Sequence, residues 1–168
     1  MWQVLGLGLY LSGLAGLQLL WPFALPGLNT APALVLVAGA LGLYYAPRLG
    51  LYAWLLVLAA GFDLLYAAGL FCLPAYALAC QIPFWLRQQS ETPGVLRPLL
   101  MLTLTLLVFE ALMTLFSLRA GYAGLAFGLR SLGPWMLFNL LSALLLWPVT
   151  YALVRALHYQ RFEYRDEV

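Results

Sequence analysis

Long apolar runs, broken by short Pro-, Gly- or Arg-bearing segments, make up nearly the whole chain. Several approach the roughly 20 residues that a helix needs to cross a bilayer core about 30 Å thick. Six spans are predicted, over residues 2–21, 31–46, 50–68, 70–87, 98–118 and 134–155, followed by a polar tail over 156–168. Their boundaries are set by Trp21-Pro22 through Pro26-Gly27, by Pro47-Arg48-Leu49-Gly50, by Gly69, by the polar stretch Gln88 to Gly94, and by a Gly-rich loop over Arg119 to Leu132 with room for an interfacial helical turn. Proline and glycine interrupt helices, and these are where the runs end. Trp2 and Trp21 are spaced to sit at opposite membrane interfaces, where amphipathic rings prefer to lie. The first run is too long and too evenly apolar for a signal peptide, and it lacks a basic start and a small-residue cleavage site, so it is expected to be a retained helix. The pattern thus predicts an all-α integral membrane protein, a bundle of about six helices forming a single transmembrane domain over 1–168.

Composition strengthens that expectation. Of 168 residues, 65% are hydrophobic and 8% are charged, whereas an ordinary soluble domain carries about a quarter charged residues. The first charged side chain is Arg48. With six spans and the N-terminus inside, the inner segments hold Arg48, Arg87, Arg97, Arg155, Arg161 and Arg165, and the outer ones Arg119 and Arg130. Basic residues accumulate on the cytoplasmic side, so both termini are expected there. The net charge is only +2, carried by arginines scattered at the ends of apolar runs, which excludes a nucleic-acid patch.

The chemistry-bearing residues are few. Asp63 and Glu110 fall inside predicted spans, where a carboxylate costs about 2.5–3.5 kcal/mol on insertion scales. At 1.5 Å per residue, Asp63 lies roughly 20 Å and Glu110 roughly 18 Å from the inner ends of their spans. Asn139 and Gln18 lie close to outer ends, so all four belong to the outer half. They read either as an outward polar cluster, forming a pocket or meeting a partner helix, or as glue between helices of the same bundle. Gly8, Ser12 and Gly16 recur every fourth residue, a small-residue stripe that permits close helix approach, either to a partner helix or within the bundle. Trp147-Pro148 marks a kink in the last span, with a partner surface as the alternative.

No catalytic arrangement, cofactor site or metal site is predicted. His158 is the sole histidine and lies in the tail, so no Ser-His-Asp constellation can form within the bundle. No dinucleotide fingerprint or phosphate loop occurs. No zinc-ligand pair stands at helical spacing. Cys72 and Cys80 are eight positions apart on one run, about 12 Å on a helix, which is too far for a disulfide.

Over nearly its full length the chain resembles the rod shape-determining protein MreD family. The matching features keep their order: Gln18 with Trp21-Pro22, then Ala31-Pro32-Ala33-Leu34-Val35-Leu36, Pro47-Arg48-Leu49-Gly50, Gly61-Phe62-Asp63-Leu64 with Gly69, and Leu146-Trp147-Pro148 before a basic tail. Ala59 and Ala143 depart from the pattern, standing where Gly and Asn would be expected. The resemblance implies a non-enzymatic scaffold of the bacterial cell-wall elongation machinery, multi-pass in the cytoplasmic membrane. It implies a partner, MreC, bound through its transmembrane helix and adjacent external segment. It also implies influence on RodA with its class B penicillin-binding protein, and on MreB indirectly, and so on cell shape and peptidoglycan synthesis. The family is similar in fold to the substrate-binding subunits of energy-coupling-factor transporters, which makes a small-molecule-binding membrane subunit the rival expectation.

Overall fold

The structure, a computed structural model, describes residues 2–24, 33–66, 71–88, 96–119 and 125–163. Every element among them is helical: α1 (Trp2–Ala24), α2 (Leu34–Tyr45), α3 (Leu49–Tyr66), α4 (Cys72–Ala79), α5 (Gln81–Gln88), α6 (Leu96–Arg119) and α7 (Leu125–Glu163).

The arrangement is organised around α2. Its 12 residues, LVLVAGALGLYY, carry apolar or small side chains on every face. A helix with no polar stripe is stable only when surrounded. Residues Val35 to Tyr44 are all buried, and α2 packs against α1, α3, α5, α6 and α7. Glycines allow the close approach of α3: a methyl at Gly39 would collide with the Leu55 side chain, and one at Gly42 would come within 3.2 Å of Leu51.

The packing contacts fix the helix directions. At one end, Val4 lies over Gly50 and Leu157 over Gly6. At this same end the Tyr45 and Tyr151 rings meet edge to face at 5.2 Å, and Tyr44, Leu86 and Arg97 line a common cavity. The opposite end joins Gln18 to Val35 and Asn139 to Ala33, Asp63 to Cys72, and Phe71 to Phe116 in a stacked pair. Successive apolar runs therefore alternate in direction. Arg48, Arg97 and Arg155 share the first end, and Arg119 closes α6 at the other.

Three elements differ from the sequence expectation. The run over 70–87 is divided at Cys80 into α4 and α5. Pro83 explains the division, because it has no N–H to offer the carbonyl of Ala79 and its ring crowds that carbonyl. The second difference is at α7, which begins at Leu125, well before Pro134, within the stretch expected to be a loop. Leucine, alanine and arginine are good helix formers, and here they outweigh the cost of Gly128 and Gly133. Pro134 and Pro148 both stand inside this helix. The third is α1, which runs on through Trp21-Pro22 to Ala24, past the start of the expected break, since the one hydrogen bond a proline removes need not end a helix. The rest of that break, Gly69 and the stretch from 89 to 94 lie outside the described residues.

Two helical segments, Leu96–Phe116 and Leu132–Leu157, are long and apolar enough to cross a membrane, and only 28% and 17% of their apolar windows are buried inside the bundle. Shorter apolar helices are Val4–Leu20, Leu34–Tyr45, Leu49–Leu65 and Cys72–Leu86. The outer surface carries leucines from every long helix, including Leu9, Leu20, Leu64, Leu65, Leu115, Leu137 and Leu145.

Candidate functional site

The polar residues singled out in the sequence do not gather into one cluster. Three of them cap helices. The first N–H groups of a helix have no partner within it, and α2 starts inside the bundle without a capping side chain of its own. Asn139, fully buried on α7, supplies the missing acceptor: its Oδ1 takes the Ala33 N–H at 2.7 Å. The Asn139 Nδ2 donates in turn to the Trp135 carbonyl at 2.9 Å, which fixes the amide's orientation. From α1, the Gln18 Oε1 accepts the Val35 N–H at 3.3 Å. Two of its neighbours, α1 and α7, thus cap α2 jointly.

Asp63 does the same for α4. It is 3% exposed, and its two oxygens accept the Cys72 N–H at 2.7 Å and the Leu73 N–H at 2.8 Å. A carboxylate at a helix N-terminus is favoured by both the free donors and the helix dipole. Both thiols, Cys72 and Cys80, are free.

Glu110 is different. It is half-buried near the middle of α6, and its side chain makes no hydrogen bond among the described residues. Its neighbour Phe109 packs edge to face on Tyr76 and stacks on Trp135.

The small-residue stripe is used at one end only. Gly8 is buried beneath the Trp54 indole, where a Cβ would lie 2.9 Å from the ring. Ser12 donates to the Gly8 carbonyl at 2.9 Å and accepts the Trp54 Nε1–H at 3.2 Å. These two residues therefore serve the contact of α1 with α3. A Cβ at Gly16 would meet nothing within 4 Å, and the same holds at Gly13 and, on α3, at Gly61. Trp147 is half-buried and hydrogen-bonded to the Tyr45 hydroxyl, while Pro148 is exposed on α7.

Sequence reasoning passed over several polar contacts. Tyr52 donates to the Ala77 carbonyl at 2.9 Å and accepts from Gln81 Nε2 at 2.9 Å. The Ala77 carbonyl lies in the last turn of α4, where carbonyls lack partners within the helix, and the Tyr52 hydroxyl serves it. Tyr10 and buried Thr150 join α1 to α7 through their hydroxyls at 3.2 Å. A tyrosine or threonine inside an apolar run was the available signal. Other hydroxyls turn back on their own helices, as Thr105 does to the Met101 carbonyl at 2.8 Å and Ser142 to that of Phe138 at 2.9 Å.

Among the described residues no group of three His, Cys, Asp or Glu side chains could hold a metal ion. An open groove of about 430 Å³ is lined by Gln81, Ile82, Phe84 and Trp85 on α5. A smaller cavity of about 160 Å³ is lined by Tyr44, Leu86, Arg97 and Leu100. Neither involves Asp63, Asn139 or Gln18. No family model, no curated protein and no solved structure matches the chain.

Proposed function

We propose that the chain is a six-span bundle of the bacterial cytoplasmic membrane with both termini cytoplasmic, and that it acts as a non-enzymatic scaffold for partner membrane proteins. The membrane assignment is supported by the long outward-facing apolar helices. The core helix of a soluble protein buries most of its apolar surface, and α6 and α7 do the opposite. Apolar surface of this extent marks contact with lipid or with another protein. In this reading α4 and α5 together make one span, broken at Cys80.

The observation that carries the scaffold reading is that Asp63, Asn139 and Gln18 are all occupied by backbone N–H groups. Their polarity holds buried helix ends in place, the requirement that lipid imposes on non-helical backbone at membrane depth. The transport-subunit reading would have these side chains line an outward pocket, and their hydrogen bonds direct them to helix starts instead.

The resemblance to the MreD family gives the scaffold its setting, the cell-wall elongation complex. Its direct partner is MreC, through a transmembrane helix and the adjacent external segment. RodA with its class B penicillin-binding protein, and MreB indirectly, are the wider assembly. Co-expression with the cognate MreC and purification in mild detergent test this. A stable complex is expected. Its absence, under conditions that preserve other membrane assemblies, rejects the reading, and a vitamin-sized molecule carried through purification would favour the transport subunit.

A further inference from the structure

We infer that the cavity between the ends of α2 and α5 and the start of α6 holds the phosphoryl headgroup of an anionic membrane lipid. The inference rests on the membrane reading above. The cavity, about 160 Å³, is lined by Tyr44, Leu86, Arg97 and Leu100. It therefore joins a guanidinium and a tyrosine to two leucines, as a site for a charged head on an apolar chain requires.

Three features favour an anion there. Arg97 makes no ion pair among the described residues. The two described carboxylate side chains are elsewhere: Asp63 is bound to the start of α4, and Glu110 is 13 residues further along α6, roughly 20 Å away. Arg97 also stands in the first turn of α6, whose dipole adds partial positive charge. Two helix C-termini, those of α2 and α5, bring partial negative charge to the same place, so the attraction depends on the Arg97 guanidinium. The apolar chain has a path outward, because Leu96 is 80% and Leu100 54% exposed beside the cavity. Basic pockets between helices on the cytoplasmic side are recognised sites for anionic headgroups.

The test uses the full chain in bilayer nanodiscs of phosphatidylcholine mixed with phosphatidylglycerol. Native mass spectrometry then counts the lipids that remain bound after release. Phosphatidylglycerol is expected to be enriched on the protein about fivefold over phosphatidylcholine. Arg97→Gln should remove the enrichment, and Arg97→Lys should keep most of it. Arg119→Gln, at the other end of α6, should leave it unchanged. Equal losses from Arg97→Gln and Arg119→Gln would mean diffuse attraction and overturn the site. Displacement by millimolar inorganic phosphate would assign the cavity to the free ion and overturn the lipid. A chain that inserts with no enrichment also overturns it, whereas failure to enter nanodiscs rejects the membrane reading itself.

Discussion

The Asn139 side chain caps the start of a helix formed far earlier in the chain, its Oδ1 accepting the N–H of Ala33, 106 residues before it, at 2.7 Å. This bond ties α7 to the start of the central helix. Replacing Asn139 with Leu keeps the volume close but leaves a buried N–H without an acceptor, a loss of about 1–3 kcal/mol. Thermal unfolding in detergent should show a clearly lowered midpoint. An unchanged midpoint would mean that the cap contributes nothing.

Asp63 caps two N–H groups, so its substitutions should fall in order. Asp63→Ala removes both acceptors. Asp63→Asn keeps one oxygen and turns a donor toward the other N–H. Each unsatisfied buried group costs about 1–3 kcal/mol. Asp63→Ala should therefore be the less stable, with Asp63→Asn between it and the parent. If both variants are as stable as the parent and only function is lost, Asp63 has a direct functional role and the capping account fails.

The small-residue stripe should divide functionally at Ser12. Gly8→Leu would drive a side chain into the Trp54 ring, whose atoms lie 2.9 Å from the Cβ position. The bundle should fail to fold or should unfold early. Gly16→Leu meets open space and should leave the unfolding midpoint within about 0.5 kcal/mol of the parent. Loss of partner co-purification with Gly16→Leu alone would mark that face as the docking surface. Equal destabilisation by both would show that the stripe serves the bundle throughout.

Tyr52→Phe removes one hydroxyl and leaves both the Ala77 carbonyl and the Gln81 amide without their partner. Hydrogen bonds between membrane helices average about 0.6 kcal/mol and reach about 1.7. The expected loss is toward the upper figure, because two bonds disappear together. Pairing this change with Gln81→Leu in a double-mutant cycle should recover part of the loss, and strict additivity would contradict the shared network.

Much of the helical layout was legible because outward-facing and core-facing residues are both apolar, and only proline, glycine and arginine punctuate them. That Asp63, Gln18 and Asn139 lie toward one end of the bundle could be read from helical rise alone. Their partners could not, because each is a backbone N–H on another segment and leaves no mark on composition. The division of the stripe was equally hidden: Gly8 and Gly16 look alike until Trp54 is seen over one and nothing over the other. Pro83 was visible but sits inside a run otherwise long enough to be one helix. The early start of α7 was masked by Gly128 and Gly133, which resemble loop residues until the surrounding helix formers are weighed.

The joint capping of α2 has a consequence for how the protein is made. The 12-residue helix, roughly 18 Å long, receives one acceptor from α1, synthesised before it, and its shorter bond from α7, whose Asn139 is synthesised 106 residues after Ala33. Until Asn139 is made, the start of α2 has Gln18 alone, and its final seating waits for α7. The central helix is therefore made long before it is settled, and a chain cut short before α7 leaves the start of α2 one acceptor short.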